Sequence, residues 1–290
     1  MLHFKRQHLD AAKWDACIDT SANGKPYMYS WWLDIVCPNW EYLATADYSA
    51  IFPLTIKRKL GFKALIHPPF VQRLSCISAD SEFKNNELFC VKYLEDNFRI
   101  FDIQVQETMA SHFTVQSKRE RTNYFWEYPA SSYTTNHKRN LKKAQGFNGQ
   151  LNFNTPPKDF IAFFEKTTAL IDKTFGKKSL KMLSALVEVS LSNKHGIICS
   201  VYQGDELVAS AFMVKSGNYM CYCAGGSNPK GKNSSAMYLI MDAMIGICQK
   251  ENLKLDFEGS DLNGVAKFFE GFGAKKESYY RITKMPLVLK

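Results

Sequence analysis

The sequence predicts an α/β chain, equally describable as α+β, of about two domains. Three observations predict it. The chain has 290 residues and 46% hydrophobic content, enough for one large core or two ordinary ones. Apolar residues switch repeatedly between helical and alternating periods. Three strand-like segments in the second half are joined by glycine-bearing turns, the pattern of an antiparallel meander. Aromatic residues make up 14% and charged residues 22%, a globular composition and not a disordered one.

The elements follow in order. Residues 8–20 and 27–37 read as short helices; in the second, Tyr29, Trp32, Leu33 and Val36 recur at helical spacing. Residues 41–59 read as a strand pair turning at Asp47-Tyr48-Ser49, with Gly61 as a breaker. Leu65-Ile66 is a short strand that the Pro68-Pro69 pair stops. A helix at 82–97 and a strand at 99–105 complete the first half, with Trp31, Trp32 and Trp40 assigned to its core. Pro129, Ser131 and Ser132 mark a linker, which places the boundary near 130 and predicts domains of 1–130 and 131–290. The basic helix His137-Lys138-Arg139-Asn140-Leu141-Lys142-Lys143 follows and ends in the Asn148-Gly149 turn. A strand at 150–154 comes next. Pro156 and Pro157 open a helix to about 173, a place where proline is tolerated, and another helix covers 178–194. The meander runs Ile197–Tyr202, Glu206–Lys215 and Tyr219–Ala224. A loop at 225–233, a helix from 234 to 251, a strand Leu253–Glu258, a helix at 262–270 and a strand at 277–284 complete the chain.

The net charge is +9. This favours anionic partners, such as nucleic acid, nucleotides, phosphorylated donors or acidic surfaces, without choosing among them. The eight cysteines form no CxxC pair and no Cys/His set with zinc spacing, so no metal is expected. Cys221 and Cys223 lie two apart on one strand face and read as core. The MLHFKRQHLD start lacks the apolar centre of a signal peptide, and no run of about 18 apolar residues exists. Cytoplasmic location and no membrane insertion are the expectation.

The segment Gly225-Gly226-Ser227-Asn228-Pro229-Lys230-Gly231-Lys232-Asn233-Ser234-Ser235 leaves a strand and enters a helix. Small residues permit close backbone approach. The first amides of a helix lack intrahelical partners and lie at the positive end of its dipole. With Lys230 and Lys232 beside them, and Ser234 as the expected N-cap, this is a recipe for an anion site. Ala224, Gly225, Lys230, Gly231, Lys232, Asn233, Ser234 and Ser235 are therefore the candidate donor-binding residues. The Gly226-x-x-x-x-Gly231-Lys232-Asn233 run approaches a nucleoside-triphosphatase loop but lacks the terminal Ser or Thr that holds magnesium. It also follows a meander and not an early parallel strand.

The order of meander, glycine-bearing loop, long helix, strand, short helix and strand resembles the GNAT acyltransferase fold. Pro229–Ser234 stands where that family places its pyrophosphate loop. Ala266-Lys267-Phe268-Phe269-Glu270-Gly271-Phe272-Gly273-Ala274 resembles its closing helix. Leu255-Asp256-Phe257-Glu258-Gly259-Ser260 and the basic stretch Tyr133–Ala144 are similar to the Fem-type branch, in which two GNAT-like domains stand in tandem. The resemblance is specific in the last hundred residues. It implies two GNAT-like domains, each a mixed, mostly antiparallel sheet flanked by helices. It also implies transfer of an acyl or aminoacyl group, from acyl-CoA or aminoacyl-tRNA, to an unidentified amine.

Two departures matter. Asn228 and Asn233 stand near places usually held by Gln or Arg and by Gly or Ala. Phe268-Phe269 stands where many GNAT enzymes carry an acidic Tyr, and a phenyl ring donates no proton. Glu258 is the candidate general base, Asp256 its companion on one strand face, and Tyr222 a candidate acid, with Tyr280 the other hydroxyl considered. Lys138, Arg139 and His67 are candidate substrate contacts. Phe268, Phe269 and Phe272 are assigned to packing. The alternative is a non-catalytic protein of this fold that binds RNA or an acidic partner through its basic linker.

Overall fold

The computed structural model describes residues 1–59, 62–78, 83–115, 117–172, 175–259 and 263–285. Gly61 and Ser260, both part of the expectations above, lie outside them. The chain forms two compact units. One holds residues 1–123, 216–218 and 277–285; the other holds 124–215 and 219–276.

The elements of the first unit begin with β1 (Leu2–Lys5), α1 (Ala11–Thr20), α2 (Ser30–Val36), β2 (Glu41–Ala44) and β3 (Ala50–Leu54). They continue with β4 (Ile56–Lys59), β5 (Phe62–Ile66), β6 (Ile77–Ser78), α3 (Phe83–Asn97), β7 (Ile100–Gln106) and α4 (Glu107–His112). Strand β8 (Ser117–Trp126) crosses from the first unit into the second. The second unit adds α5 (Thr135–Gly146), β9 (Gln150–Asn152), α6 (Pro157–Lys166), α7 (Thr168–Ile171) and α8 (Lys177–Ser192). Its meander is β10 (Gly196–Gln203), β11 (Glu206–Ser216) and β12 (Tyr219–Ser227). Then come α9 (Pro229–Asn233), α10 (Ala236–Glu251), β13 (Lys254–Asp256) and α11 (Asn263–Glu270), and β14 (Lys275–Lys284) returns to the first unit.

In the first unit β1, β2, β3 and β6 form an antiparallel sheet, and β4, β5, β7 and β14 lie side by side. The β5–β7 pair is parallel and β7–β14 antiparallel. Trp14, Trp32 and Trp40 are buried, and each indole N–H finds an acceptor: Met28 O (2.8 Å), Phe70 O (2.9 Å) and Asp34 Oδ1 (2.8 Å). Burying a Trp requires that match. Trp31 is half-buried and stacks on Tyr29 at 5.3 Å.

In the second unit the order is β8-β13-β12-β11-β10-β9. The hairpin β10–β11 is antiparallel and β12–β13 parallel. Val208 to Val214 of β11 are all buried, so this strand is covered on both faces. Ile240, Met241, Met244, Ile245 and Cys248 form the apolar stripe of α10 that faces the same core. The expected α6 is shorter than its sequence pattern: it ends at Lys166, Thr167 leaves helical geometry, and the separate turn α7 follows. No helix among the described residues is long and apolar enough to cross a membrane.

Candidate functional site

The β12–β13 ladder pairs only Tyr219–Cys221 with Lys254–Asp256, while β12 runs on to Ser227. Past Asp256 the chain turns aside. Phe257 donates its amide to Tyr124 O (2.9 Å), and Glu258 and Gly259 both adopt positive φ, 60° and 69°. The expected strand to Glu258 therefore stops two residues early, and alternation along a strand is not what brings Asp256 and Glu258 together. Glu258 folds back so that its own amide donates to Asp256 Oδ1 at 2.9 Å. Ligand-type atoms of Cys221, Asp256 and Glu258 all lie within 4.8 Å of one another. Among the described residues, this is the set whose donor atoms could hold a metal. Asp256 and Cys221 are buried and Glu258 half-buried. Cys223 adjoins them, with its thiol pushed up by burial and then by the charges of Glu258 and Asp256. It stays protonated at neutral pH and is a poor nucleophile.

Tyr222 lies over the backbone of the same strand. A methyl group on Gly225 would sit 2.6 Å from the Tyr222 hydroxyl oxygen and 2.8 Å from Ser210 O; one on Gly226 would sit 2.3 Å from Thr168 Oγ1. The Thr168 hydroxyl donates to Gly225 O at 2.8 Å. The two glycines thus let a tyrosine and a threonine reach the main chain. Burial, and then Cys223, push the Tyr222 hydroxyl well above its ordinary range, so it is protonated at neutral pH but a weaker acid than an ordinary tyrosine. Phe269 is buried and stacks on Phe257 at 4.5 Å, with the Tyr222 ring edge-on at 6.4 Å. Phe268 packs on Tyr238, His137 and Phe272. These phenylalanines are packing residues. Tyr280 belongs to the first unit, on β14 opposite Val105.

The loop after β12 differs from its sequence reading. Residues 229–233 form the short helix α9, capped by Asn228, whose Oδ1 accepts from the Gly231 amide at 2.8 Å. Lys232 N donates to Asn228 O, Ser234 N to Lys230 O and Ser235 N to Lys232 O. Ser234 is therefore not the N-cap. Its hydroxyl donates to Gly231 O at 3.2 Å, and α10 begins two residues later, after Ser235 turns through φ 61°. The amides of Gly231, Lys232, Ser234 and Ser235 are all used inside the loop, so none of them is an open anion donor. Ser234 and Ser235 are themselves buried. Gly231 serves packing: a methyl there would meet Val208 O at 2.1 Å. Lys230 pairs with Glu206 at 2.7 Å, which holds that carboxyl below its usual range. Lys232 and Asn233 are exposed, and Ala224 is buried.

Helix α5 starts on Thr134, whose Oγ1 accepts from the His137 amide. The His137 ring is buried, with Nε2 on Phe268 O (2.8 Å) and Nδ1 on the Thr134 hydroxyl (3.0 Å). Burial lowers its pKa, so it adds no charge to this helix at neutral pH. Lys138 is exposed, and Arg139 donates to Asn136 Oδ1 of its own helix. Neither lines the cavity beside the loop. That cavity, of about 530 Å³, is walled by Lys143, Gly146, Phe147, Lys230, Asn233 and Ser234. One turn before Lys143, Asn140 Oδ1 accepts from the Ser235 hydroxyl at 3.0 Å. The sequence reading passed over Asn140 and Lys143 as site residues. Helical spacing was the available signal: Asn140, Lys143 and Phe147 share one face. His67 lies in the first unit, with Nε2 on Val71 O (2.6 Å) and Nδ1 accepting from Gln104 N (3.2 Å). With both nitrogens taken by backbone, it holds structure and offers nothing to a substrate.

This geometry has known counterparts. Residues 131–265 match the family model described as the acetyltransferase (GNAT) domain. FemX superposes on 97% of this chain and 97% of its own, with TM-score 0.70 at 9% identity. L-PGS from Bacillus licheniformis covers 93% of this chain and 91% of its own, with TM-score 0.57 at 8% identity. An acetyltransferase of the GNAT family from Colwellia psychrerythraea covers 98% and 100%, with TM-score 0.56 at 7% identity. At such identities the likeness is one of fold. No curated protein matches the sequence. Residues 131–265 carry a GNAT acetyltransferase domain. Over nearly its whole length the chain shares the fold of FemX.

Proposed function

We propose that this protein is an N-acyltransferase that moves an acyl or aminoacyl group from a phosphate-bearing donor, acyl-CoA or aminoacyl-tRNA, to an amine. The observation that carries the reading is the fork of β12 and β13, where pairing ends at Cys221 and Asp256 and Glu258 folds back beside them. A diverging strand pair offers main-chain groups to an acyl carbonyl, and donors so placed stabilise the oxyanion. Glu258 takes the proton of the attacking amine, and Asp256 orients it through the Glu258 amide. The hydroxyl of the half-buried Tyr222 is the candidate acid for a departing thiolate, in place of the tyrosine that Phe268-Phe269 lacks. Holding donor and amine together supplies much of the rate.

The test is thermal stabilisation by coenzyme A, acetyl-CoA and charged tRNA, followed by transfer of labelled acyl group to an amine panel. A folded sample stabilised by none of the three defeats the reading. The inward use of the loop amides favours one other reading, a non-catalytic binder of RNA or an acidic partner. Its signature is RNA binding that falls steeply with salt and is indifferent to Glu258→Ala.

A further inference from the structure

Among the described residues, the most exposed large hydrophobic side chains are two neighbours, Ile171 at 71% and Leu170 at 64%. They form the tip of α7, the single turn between α6 and α8. The tip is held from both sides. Before it, the Thr167 hydroxyl donates to Phe163 O at 2.7 Å and the Thr168 hydroxyl to Gly225 O at 2.8 Å. After it, the Asp172 amide donates to Thr168 O (2.9 Å) and the Phe175 amide to Asp172 O (3.2 Å). The Phe175 ring then packs edge-on to the buried Phe164 at 5.1 Å. Both aliphatic side chains are thus held outside the core, and an adjoining apolar pair left in water marks a contact surface.

The surroundings of the tip are basic. On α6, Lys166 lies opposite the buried Phe160 and Phe164. On α8, Lys177, Lys178 and Lys181 lie opposite the buried Leu183, Leu186 and Val187. All four lysines are exposed, and from Lys166 to Lys181 Asp172 is the one carboxylate among the described residues. A nucleic acid would engage the lysines and leave the aliphatic tip in water. A second copy of the chain, meeting this patch with its own, would set lysines against lysines. An anionic lipid surface uses both features: headgroup phosphates take the cations and the acyl boundary takes the aliphatics. No helix among the described residues is long and apolar enough to cross a membrane, so such contact is with one face of the bilayer.

We propose that the α7 tip docks this unit on an anionic phospholipid surface, with Leu170 and Ile171 at the acyl boundary and the four lysines against headgroup phosphates. This goes beyond the acyl-transfer reading and does not depend on it. Gly225, which the Thr168 hydroxyl binds, belongs to β12 past the residues that pair with β13. Docking therefore brings the fork to the lipid boundary.

The experiment is co-sedimentation of the full chain with vesicles of phosphatidylcholine alone and, separately, of phosphatidylcholine with phosphatidylserine. One variant combines Leu170→Ser with Ile171→Ser, and a second combines Lys177→Gln, Lys178→Gln and Lys181→Gln. The control is Leu88→Ser, an exposed leucine on α3 of the other unit. Each is checked for unchanged melting. Wild-type protein should prefer the phosphatidylserine vesicles by about ten-fold or more. The tip variant should weaken that binding about ten-fold or more, the usual worth of burying one or two aliphatic side chains. The lysine variant should remove the preference for phosphatidylserine, and Leu88→Ser should cost less than about two-fold. Ile171→Trp keeps an apolar tip, so it should bind as wild type does, with its added emission shifted to the blue on vesicles. Wild-type protein that stays in solution with both vesicles overturns the proposal, as does a tip variant that binds like wild type or a Leu88→Ser protein that loses as much. Self-association that the tip variant abolishes gives the surface to a second copy and overturns it too. A chain that docks through α7 but transfers no acyl group keeps this assignment and loses the acyl-transfer reading. A chain that transfers acyl groups and ignores vesicles does the reverse.

Discussion

The Ser235 hydroxyl donates to Asn140 Oδ1 at 3.0 Å, and this bond joins the loop after β12 to the linker helix α5. Ser235 also turns the chain through φ 61° into α10. The residue has two separable jobs, a bond and a backbone angle. Ser235→Gly loses the bond and keeps the angle without strain, for a loss of about 1 kcal/mol. Ser235→Val loses the bond as well, and its β-branched side chain fits the left-handed angle worse than serine does, which adds about 1 kcal/mol or more. Urea denaturation of the two variants should rank them in that order; equal losses would show that the angle carries no strain.

Gly231 gives a second prediction. Its missing side chain faces Val208 O, where a methyl group would lie 2.1 Å away, and the Asn228 amide donates to the same carbonyl at 3.1 Å. A backbone oxygen of the buried strand β11 cannot move aside cheaply. Gly231→Ala should lower stability by roughly 1–3 kcal/mol, the usual range for overpacking. It should also weaken donor binding, because α9 shifts with it. A stable variant with intact binding would mean that the loop seats itself another way.

Much of this architecture was legible in the sequence, for reasons specific to each element. The meander was clear because Gly204 and Gly217 supply positive φ at both turns, 59° and 45°. The strand β8 was not read at all. It opens with Ser117-Lys118-Arg119-Glu120, exposed and mostly charged, and continues with the half-buried Arg121 and Thr122, so no alternation shows until Asn123 and Tyr124 become buried. The start of α10 was misplaced because Ser234 looks like a cap, whereas Asn228 caps a short helix first. Asp256 and Glu258 were selected correctly as neighbours on the wrong geometry. A left-handed Glu is uncommon, and nothing in the local sequence announces it beyond the following Gly259. Lys143 was hidden among four similar cations, and only the helix phase separates it from Lys138 and Arg139.

His67 makes stability depend on pH. Burial, opposed by the Val71 bond and the Asp102 carboxylate and aided by Arg281 and Arg121, lowers its pKa from 6.5 to about 4. The unfolded chain therefore binds a proton that the folded chain refuses between these values. The stabilisation is fully present above pH 6.5, declines as pH falls, and is gone below about 4. The full swing is on the order of 3 kcal/mol. His67→Gln should flatten the stability profile across this window, as read by denaturant midpoints at stepped pH. An unchanged slope would place the ring in a more hydrated setting than its two backbone bonds indicate.

The roles at the fork separate by donor chemistry. If Glu258 is the base, Glu258→Gln lowers kcat by a hundred-fold or more whichever donor is used, since the amine must lose its proton in both reactions. Tyr222 differs. A hydroxyl held protonated by burial matters only where the leaving group needs that proton at that place. With a coenzyme A thioester, Tyr222→Phe should lower kcat about ten-fold or more while leaving KM nearly unchanged. With aminoacyl-tRNA the leaving group is a ribose hydroxyl, whose alkoxide is more basic than a thiolate, so the same variant is silent there only where another group supplies the proton. Because the Tyr222 ring lies edge-on to Phe269 at 6.4 Å, phenylalanine keeps the packing and removes only the hydroxyl. Steady-state rates of both variants with both donors test the two roles. A Glu258→Gln protein with full activity removes the base from its position, and a Tyr222→Phe protein impaired with neither donor assigns the proton to another group.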